Sequence, residues 1–366
     1  MTLLKHQLLD GVRVLDFSWL AAGPTGTFYL AALGAEVLRI ESRGALDNYR
    51  RLFRQGNDPN QSELFASVNY GKRSVTVDLK HPRAGEVIGA LVANCDLVVE
   101  NFSPGTLDRL NLGYDFLRTH RRDVVMVSCS STGHVGPMVR NAGYAPIFAA
   151  LGGLCSVAES PDGGPPLFGR QFDARVGAFV ALAAAAGLLL RSRTGQGGHY
   201  DLSGQEVAAS CAAEATTSVT AGQELYGVDR ARVRYLLGSD GRWVVAEQVN
   251  GRGDLADLEE NATELTSGQL AELGRERGIR MTVASTAADI LSDEEFSATG
   301  LFAQADQPGI GRQLAVGPPI RWSSEIESTP LGLSPDVGAD TMEVLRRVAE
   351  MSEGTVQSLE EAGTLE

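Results

Sequence analysis

Along the chain, short apolar runs of strand length alternate with longer stretches of helical spacing. Val12–Phe17 is a short apolar run, and Ala21-Ala22-Gly23-Pro24 breaks it. Thr25 to Leu33 then reads as a helix that stops at Gly34, and Glu36–Glu41 is the next strand. Strand, turn, helix and strand within about 30 residues is the βαβ unit of a parallel sheet. The pattern continues with a strand at Val75–Leu79, a helix from Pro82 to Ala93 and a buried strand at Asp96–Glu100. A turn at Asn101–Gly105, a helical piece from Thr106 and a strand at Asp123–Cys129 follow. This alternation predicts an α/β domain with a mainly parallel sheet. Ligands in such sheets collect at the carboxyl ends of strands. The loops after Phe17, Glu41, Glu100 and Ser128 are therefore where a site is expected.

Further on, Ser130–Pro137 is a small-residue loop and Pro161–Pro166 a tight one. Val176–Leu190 carries no charge but falls short of the roughly 18–20 residues a bilayer requires, so it predicts a buried core helix. Thr194–Gly198 reads as a turn, His199–Leu202 as a short strand and Ser203–Thr217 as a second Ala-rich helix. After residue 222 the texture changes. A turn and strand at Ser239–Ala246 and charged, helix-prone material over 254–277 come first. A strand at Gly278–Ala284, an extended piece at Gly317–Trp322 and an amphipathic helix at Met342–Glu350 follow. The expected architecture is a large Rossmann-like domain over residues 1–222, to which a tail, 323–366, returns. A smaller α+β domain covers 223–322.

Composition narrows the function. With 43 % apolar residues the chain can fill a full-sized core. A net charge of −14 argues against nucleic acid or an anionic membrane as partner. Any anionic ligand then needs a local basic cluster. The 4 cysteines are widely spaced in apolar or small-residue settings, which predicts buried free thiols. The 5 histidines show no ligand spacing, so no metal site is expected. The first residues have no long apolar core and no cleavage-like end, so a cytoplasmic location is expected. No G-x-G-x-x-G follows the first strand, which disfavours a nicotinamide or flavin enzyme.

The chemistry is expected in Phe168–Gly177, where Asp173 stands at the mouth of the apolar run. A carboxylate there feels the partial positive charge of a helix N-terminus and the opposing effect of desolvation. Held between the two, it can act as nucleophile or proton carrier; the plainer alternative is an N-cap aspartate. Lys72-Arg73 at a strand entry could grip a phosphate or simply be surface charge. The arginines at 43, 50, 51 and 54 sit in a polar, irregular segment that reads equally as a solvated loop. His134 could be a base or a structural loop residue.

Several pieces in order resemble the class III CoA-transferase family, the group that includes formyl-CoA transferase and carnitine CoA-transferase. They are Gly11–Phe17, Ala22-Gly23-Pro24, Leu33–Glu41, Asn69–Asp78, Val99–Gly105, Gly143-Tyr144, Asp173–Gly177 and Thr194–Gly197. Asp240–Trp243, Gly300–Phe302 and Gly317–Pro319 follow. The resemblance implies a Rossmann-like domain plus a small one in an interlocked homodimer, with acyl-CoA and a carboxylic acid as substrates. It implies that Asp173 is the nucleophile, passing through a mixed anhydride and an aspartyl-CoA thioester, with Tyr144 beside it. It places Ala21, Ala22 and Asn101 along the thioester pocket, and Lys72, Arg73 and Arg109 at the CoA phosphates. Related acyl-CoA racemases carry a histidine where this chain has Tyr144. A racemase or isomerase, or a silent CoA-binding protein, is the alternative. Against the family pattern, Ala145 stands where Asp is usual and Ala149 where Gln is usual. The small domain is short, and no glycine-rich covering loop is visible.

Overall fold

The computed structural model describes residues 8–52, 54, 56–157, 166–222, 233–248, 255–317, 319–320 and 332–366. The chain opens with β1 (Arg13–Asp16), α1 (Ala22–Ala32), β2 (Glu36–Glu41), α2 (Asn48–Leu52), α3 (Glu63–Ser67) and β3 (Arg73–Thr76). Next come α4 (Ala84–Ala93), β4 (Leu97–Glu100), α5 (Thr106–Arg109), α6 (Tyr114–His120) and β5 (Val125–Ser130). Then follow α7 (Ala145–Leu151), α8 (Arg170–Thr194), β6 (Gly198–Ser203), α9 (Gly204–Cys211) and α10 (Ala213–Thr220). The later elements are β7 (Val233–Leu237), β8 (Trp243–Glu247), α11 (Ala256–Asn261), α12 (Ser267–Glu276), β9 (Arg280–Val283), α13 (Ala287–Ser292) and α14 (Glu294–Ala298). The hairpin β10 (Phe302–Gln307) and β11 (Gly311–Val316) leads to α15 (Thr341–Arg347) and α16 (Glu353–Glu361).

Two compact units result, one of Met1–Cys155, Leu167–Cys211 and Gly300–Glu366, the other of Ser156–Pro166 and Ala212–Thr299. The domain boundaries expected at 222/223 and 322/323 touch residues outside the described set. So do most of the loop expected at Pro161–Pro166 and half of the extended piece at Gly317–Trp322.

The first unit is an α/β domain on a 6-stranded sheet in the order β3-β2-β1-β4-β5-β6. Every pairing in it is parallel. Chain order reverses between β1 and β4, so the loops leaving those strands diverge and open a crevice at their carboxyl ends. Val14, Leu15, Val37, Leu38, Val98 and Val99 are wholly buried. A strand covered on both faces reads as a continuous apolar run rather than an alternating one. The C-terminal tail covers the edge strand β3: Ser74 N donates to the Asp340 carboxylate at 2.9 Å, and Thr76 Oγ1 donates to Leu365 O at 2.8 Å. Val344, Leu345, Val356 and Leu359 complete the core beneath it.

α8 is longer and less buried than the apolar run suggests. It spans 25 residues and buries Phe172, Val176, Gly177, Val180, Ala184 and Gly187. That spacing is one helical stripe. Leu182 and Leu189, expected in the core, are 62 % and 52 % exposed because they fall on the opposite side; Leu190, in line with Phe172 but near the carboxyl end of the helix, is 49 % exposed. The buried stripe meets α1 through glycines: a Cβ on Gly177 would stand 2.7 Å from Thr25 Cβ, and one on Gly26 2.6 Å from Val180 Cγ1. Only hydrogen at these positions lets the two helices approach so closely.

The second unit contains the antiparallel sheet β7-β8-β9. Leu236, Val244, Ala246, Leu258, Leu270 and Ile279 form its core. Thr266 with Gln269 and Thr286 with Asp289 form capping boxes that start α12 and α13. The single helix expected at Ser203–Thr217 is instead α9 and α10, broken at Ala212. Of the four thiols expected to be buried, Cys95 and Cys129 are, Cys155 is half-buried, and Cys211 is exposed on the last turn of α9.

Candidate active site

At the carboxyl ends of the strands the first unit holds a half-open cavity of about 430 Å³. Leu20–Ala22, following β1, line it, with Asn101 after β4, Cys129–Ser131 at the end of β5 and Gly204 after β6. Gly143–Pro146 and Phe148 on α7, and Gly169, Arg170, Asp173 and Val176 on α8, close the other side. Asn48, Tyr49 and Leu52 of α2 complete the wall.

Asp173 lies in the first turn of α8. The N-cap is Gly169, which makes no side-chain cap bond, so Asp173 is not the cap. Among the described residues its carboxylate accepts no hydrogen bond and forms no ion pair. Burial raises its pKa to about 6, and the nearby Arg170 charge only partly offsets this. The helix N-terminus favours the anion as well, yet desolvation prevails. A half-buried carboxylate with no partner, facing a cavity, is free to attack a carbon.

The loop opposite is fastened residue by residue. Ser18 N and Oγ donate to Asp16 Oδ1 at 2.9 and 2.5 Å. Trp19 N donates to Asn101 Oδ1 at 2.7 Å, and Asn101 Nδ2 returns a bond to Trp19 O at 2.9 Å. Leu20 N donates to Asp47 Oδ2 at 3.0 Å. Leu20 has φ of 64°, a left-handed conformation that costs a branched residue free energy and persists only where its surroundings impose it. Asn101 thus lines the cavity while also bracing the loop that carries Ala21 and Ala22.

Beneath the loop is a buried ionic network that the sequence reading missed. Lys72 Nζ donates to Asp16 Oδ2 (3.1 Å), Pro24 O (2.9 Å) and Thr27 Oγ1 (2.7 Å). Arg39 donates to Ser18 O at 2.9 Å and pairs with Asp47 at 2.5 Å. Burial would raise the Asp16 pKa, but Lys72 and Arg39 outweigh it and hold it below the usual range. Burial pushes Lys72 down to about 8, despite Asp16.

The expected phosphate cluster is dispersed. Lys72 is turned into this network, and Arg73 pairs with Glu36, Asp340 and Glu343. Arg109 is exposed and bonds Thr106 Oγ1 and Pro104 O of its own turn. Tyr144 lines the cavity and is 68 % exposed. His134 does not line it. His134 Nε2 stands 3.5 Å from Glu100 Oε1, and His134 N donates to Asp201 Oδ2 at 2.7 Å. Burial raises Glu100 to about 7. Arg50, in a segment that reads equally as a solvated loop, is wholly buried and grips both Glu41 oxygens at 2.8 Å. Arg170 and Tyr49 were not singled out from the sequence. The signal for Arg170 was its position three residues before Asp173, which puts both on one helix face.

The first unit is thus a doubly wound α/β domain with a half-buried carboxylate at its switch-point crevice. Residues 9–245 match the profile of CoA-transferase family III. The chain belongs to that family of CoA-transferring enzymes. It is 29 % identical to succinyl-CoA:glutarate CoA-transferase of Mus musculus, covering 98 % of this chain and 90 % of that one. It is 28 % identical to formyl-CoA:oxalate CoA-transferase of Rhodopseudomonas palustris (strain BisB18), covering 98 % and 97 %. The crystal structure of a CAIB/BAIF family protein from Brucella suis superposes with a TM-score of 0.77 at 26 % identity, covering 93 % of this chain and 99 % of that one.

Proposed function

We propose that the chain exchanges CoA between carboxylic acids through covalent intermediates on Asp173. The observation that carries this reading is the partnerless, half-buried Asp173 carboxylate facing a cavity across from the small residues Ala21 and Ala22. The carboxylate attacks the thioester carbonyl, a C–O bond forms, the C–S bond breaks, and CoA leaves as thiolate. The thiolate attacks Asp173 Cγ and expels the first acid as carboxylate, leaving an aspartyl-CoA thioester. The second acid attacks that Cγ, releasing thiolate, which then takes the new acyl group and frees Asp173. The anhydride conserves the thioester's free energy only where water is kept out. Tyr144 stands at the rim, where its hydroxyl can donate to a developing oxyanion. Lys72 and Arg73 serve the fold, which leaves Arg109 as the phosphate-facing cation of the three.

Trapping with hydroxylamine in the presence of an acyl-CoA tests the mechanism. The expected product is a hydroxamate on Asp173, seen by peptide mass. Deuterium entering the α-carbon of the acyl group, without ester exchange, would favour proton abstraction instead. The pH dependence has a definite sign. The reactive form is the anion and the raised pKa is about 6, so kcat/KM should rise roughly tenfold per pH unit below that value and level off above it.

Oligomeric state belongs to the same reading. The outward side of α8 leaves Leu182 and Leu189 more than half exposed. Apolar exposure of this kind on one helix face marks an interaction surface, and we assign it to a homodimer. Light scattering should give twice the 38.8 kDa chain mass; a monomer at micromolar concentration would refute the assignment.

A further inference from the structure

We infer that Tyr49 is a positioning residue for Asp173: it holds the Arg170 guanidinium near the carboxylate but off its oxygens, so that the nucleophile stays charged and unblocked. The inference rests on the exchange reading above and adds how the reactive carboxylate is kept in its working state. Arg170 and Asp173 lie three positions apart in the first turn of α8, and both line the cavity. Side chains so spaced are neighbours, with Cβ atoms about 5–6 Å apart, and an acid and an arginine there attract each other. Yet among the described residues neither Arg170 nor Asp173 forms an ion pair. The Arg170 guanidinium instead stands over the Tyr49 ring, 5.3 Å from the centroid, and bonds the Tyr49 hydroxyl. A cation at this end of a helix faces the positive pole of the dipole, so Arg170 does not serve α8 itself.

Tyr49 is fixed well enough to restrain a cation. It is buried, its N donates to Asp47 Oδ1 at 2.7 Å, and Ser62 Oγ donates to its carbonyl oxygen at 2.6 Å. Asp47 is itself held by Arg39 and by Leu20 N. Burial raises the Tyr49 phenol above its usual range, so the ring stays neutral and attracts the guanidinium through its face. At this remove Arg170 still opposes the effect of burial on Asp173. An Arg170 free to close on Asp173 would favour the anion more, but its N–H groups would occupy the lone pairs that must attack. No other charge competes. Cys129 of β5 is a thiol that burial pushes up, and Tyr144 of the α7 side brings a hydroxyl. The packed helix α1 carries no ionic side chain, and Arg175 is exposed on another face of α8.

The test titrates the Asp173 carboxyl directly, by carbon-13 NMR of carboxyl-labelled aspartate, with Asp173→Asn identifying the resonance. The pH profile of CoA exchange is measured alongside. Arg170→Gln removes the cation and should raise the Asp173 midpoint by about one pH unit. Tyr49→Leu releases Arg170 onto Asp173 and should shift the midpoint the opposite way by about as much. It should also lower kcat on the order of 10- to 100-fold, the value of a charged hydrogen bond. Tyr49→Phe keeps the ring and loses only the hydroxyl bond, so it should shift the midpoint down by less; it also serves if the leucine variant does not fold. Tyr49→Leu made in Arg170→Gln should leave the midpoint of Arg170→Gln unmoved and recover the kcat that Tyr49→Leu alone loses. A further fall of the midpoint in that double variant would mean only added hydration and would overturn the inference. Midpoints raised or unmoved by both Tyr49 changes, or a double variant no faster than Tyr49→Leu, would overturn it too. Opposite titration shifts in a protein that exchanges no CoA would uphold the role of Tyr49 and refute the exchange reading alone.

Discussion

Asp173→Asn is expected to abolish CoA exchange, with a loss on the order of 10⁴-fold or more in kcat, as when other covalent catalysts lose their nucleophile. The amide has nearly the same shape, so acyl-CoA binding should survive and the loss should fall on kcat rather than KM. Stability provides an internal control. Asp173 has a folded pKa of about 6, raised from 3.8. The folded state therefore binds the extra proton between those values, and the group's contribution to stability declines as pH rises through that window. At neutral pH the wild-type protein holds an anion where burial disfavours one. A neutral amide should thus leave Tm unchanged or raised. An Asn variant that folds and still exchanges CoA would remove Asp173 from the chemistry. A variant that loses activity and stability together would point to a structural role.

The second large effect is expected at Lys72. Its ammonium and the Asp16 carboxylate have side chains 0 % exposed and lie 3.1 Å apart. Lys72→Met removes one charge from a buried network and leaves Asp16 with Arg39, 3.9 Å away, as its nearest cation. Breaking a buried pair on one side costs about 3–5 kcal/mol. The substitution should therefore lower the denaturation midpoint of the first unit by a corresponding amount. Asp16→Asn combined with Lys72→Met should cost less than the sum of the single changes, because the partners share one interaction. The outcome also discriminates between roles. A lysine that gripped a CoA phosphate would, on removal, raise KM for acyl-CoA and leave the melting temperature alone, and that result would refute the structural assignment.

Much of the first unit was legible in the order of residues. Strands β1, β2, β4 and β5 are apolar runs bounded by glycine, proline or polar turns, and their alternation with helices forces a parallel sheet. Asp173 was legible because one carboxylate preceding a long uncharged run is conspicuous. The loops after β1 and β4 were legible as places for a site because ligands collect at strand carboxyl ends, and the family resemblance then named Ala21, Ala22 and Asn101 within them. The β10–β11 hairpin was not recognised: Gln304, Asp306 and Gln313 interrupt its apolar positions, and its pairing runs between the two strands. The exposed side of α8 was misread because an Ala-rich run has little contrast between its faces.

Charged residues show the limit most clearly. Arg50 lies in a polar stretch and Lys72 beside Arg73 at a strand entry, and both patterns resemble ordinary surface. The partners that draw Arg50 and Lys72 inward, Glu41 and Asp16, are 9 and 56 residues away in sequence. Whether a charge faces solvent depends on what the fold brings within a few ångströms of it, and local pattern carries no record of that. The sequence by itself determined the layered α/β class and the strand ends beside which the cavity lies, and it singled out Asp173 ahead of a long uncharged run. Only the tertiary structure decided which cations were already paired and which one, Arg170, faces the cavity, since charge pairing is set by distances that exist only after the chain has closed on itself.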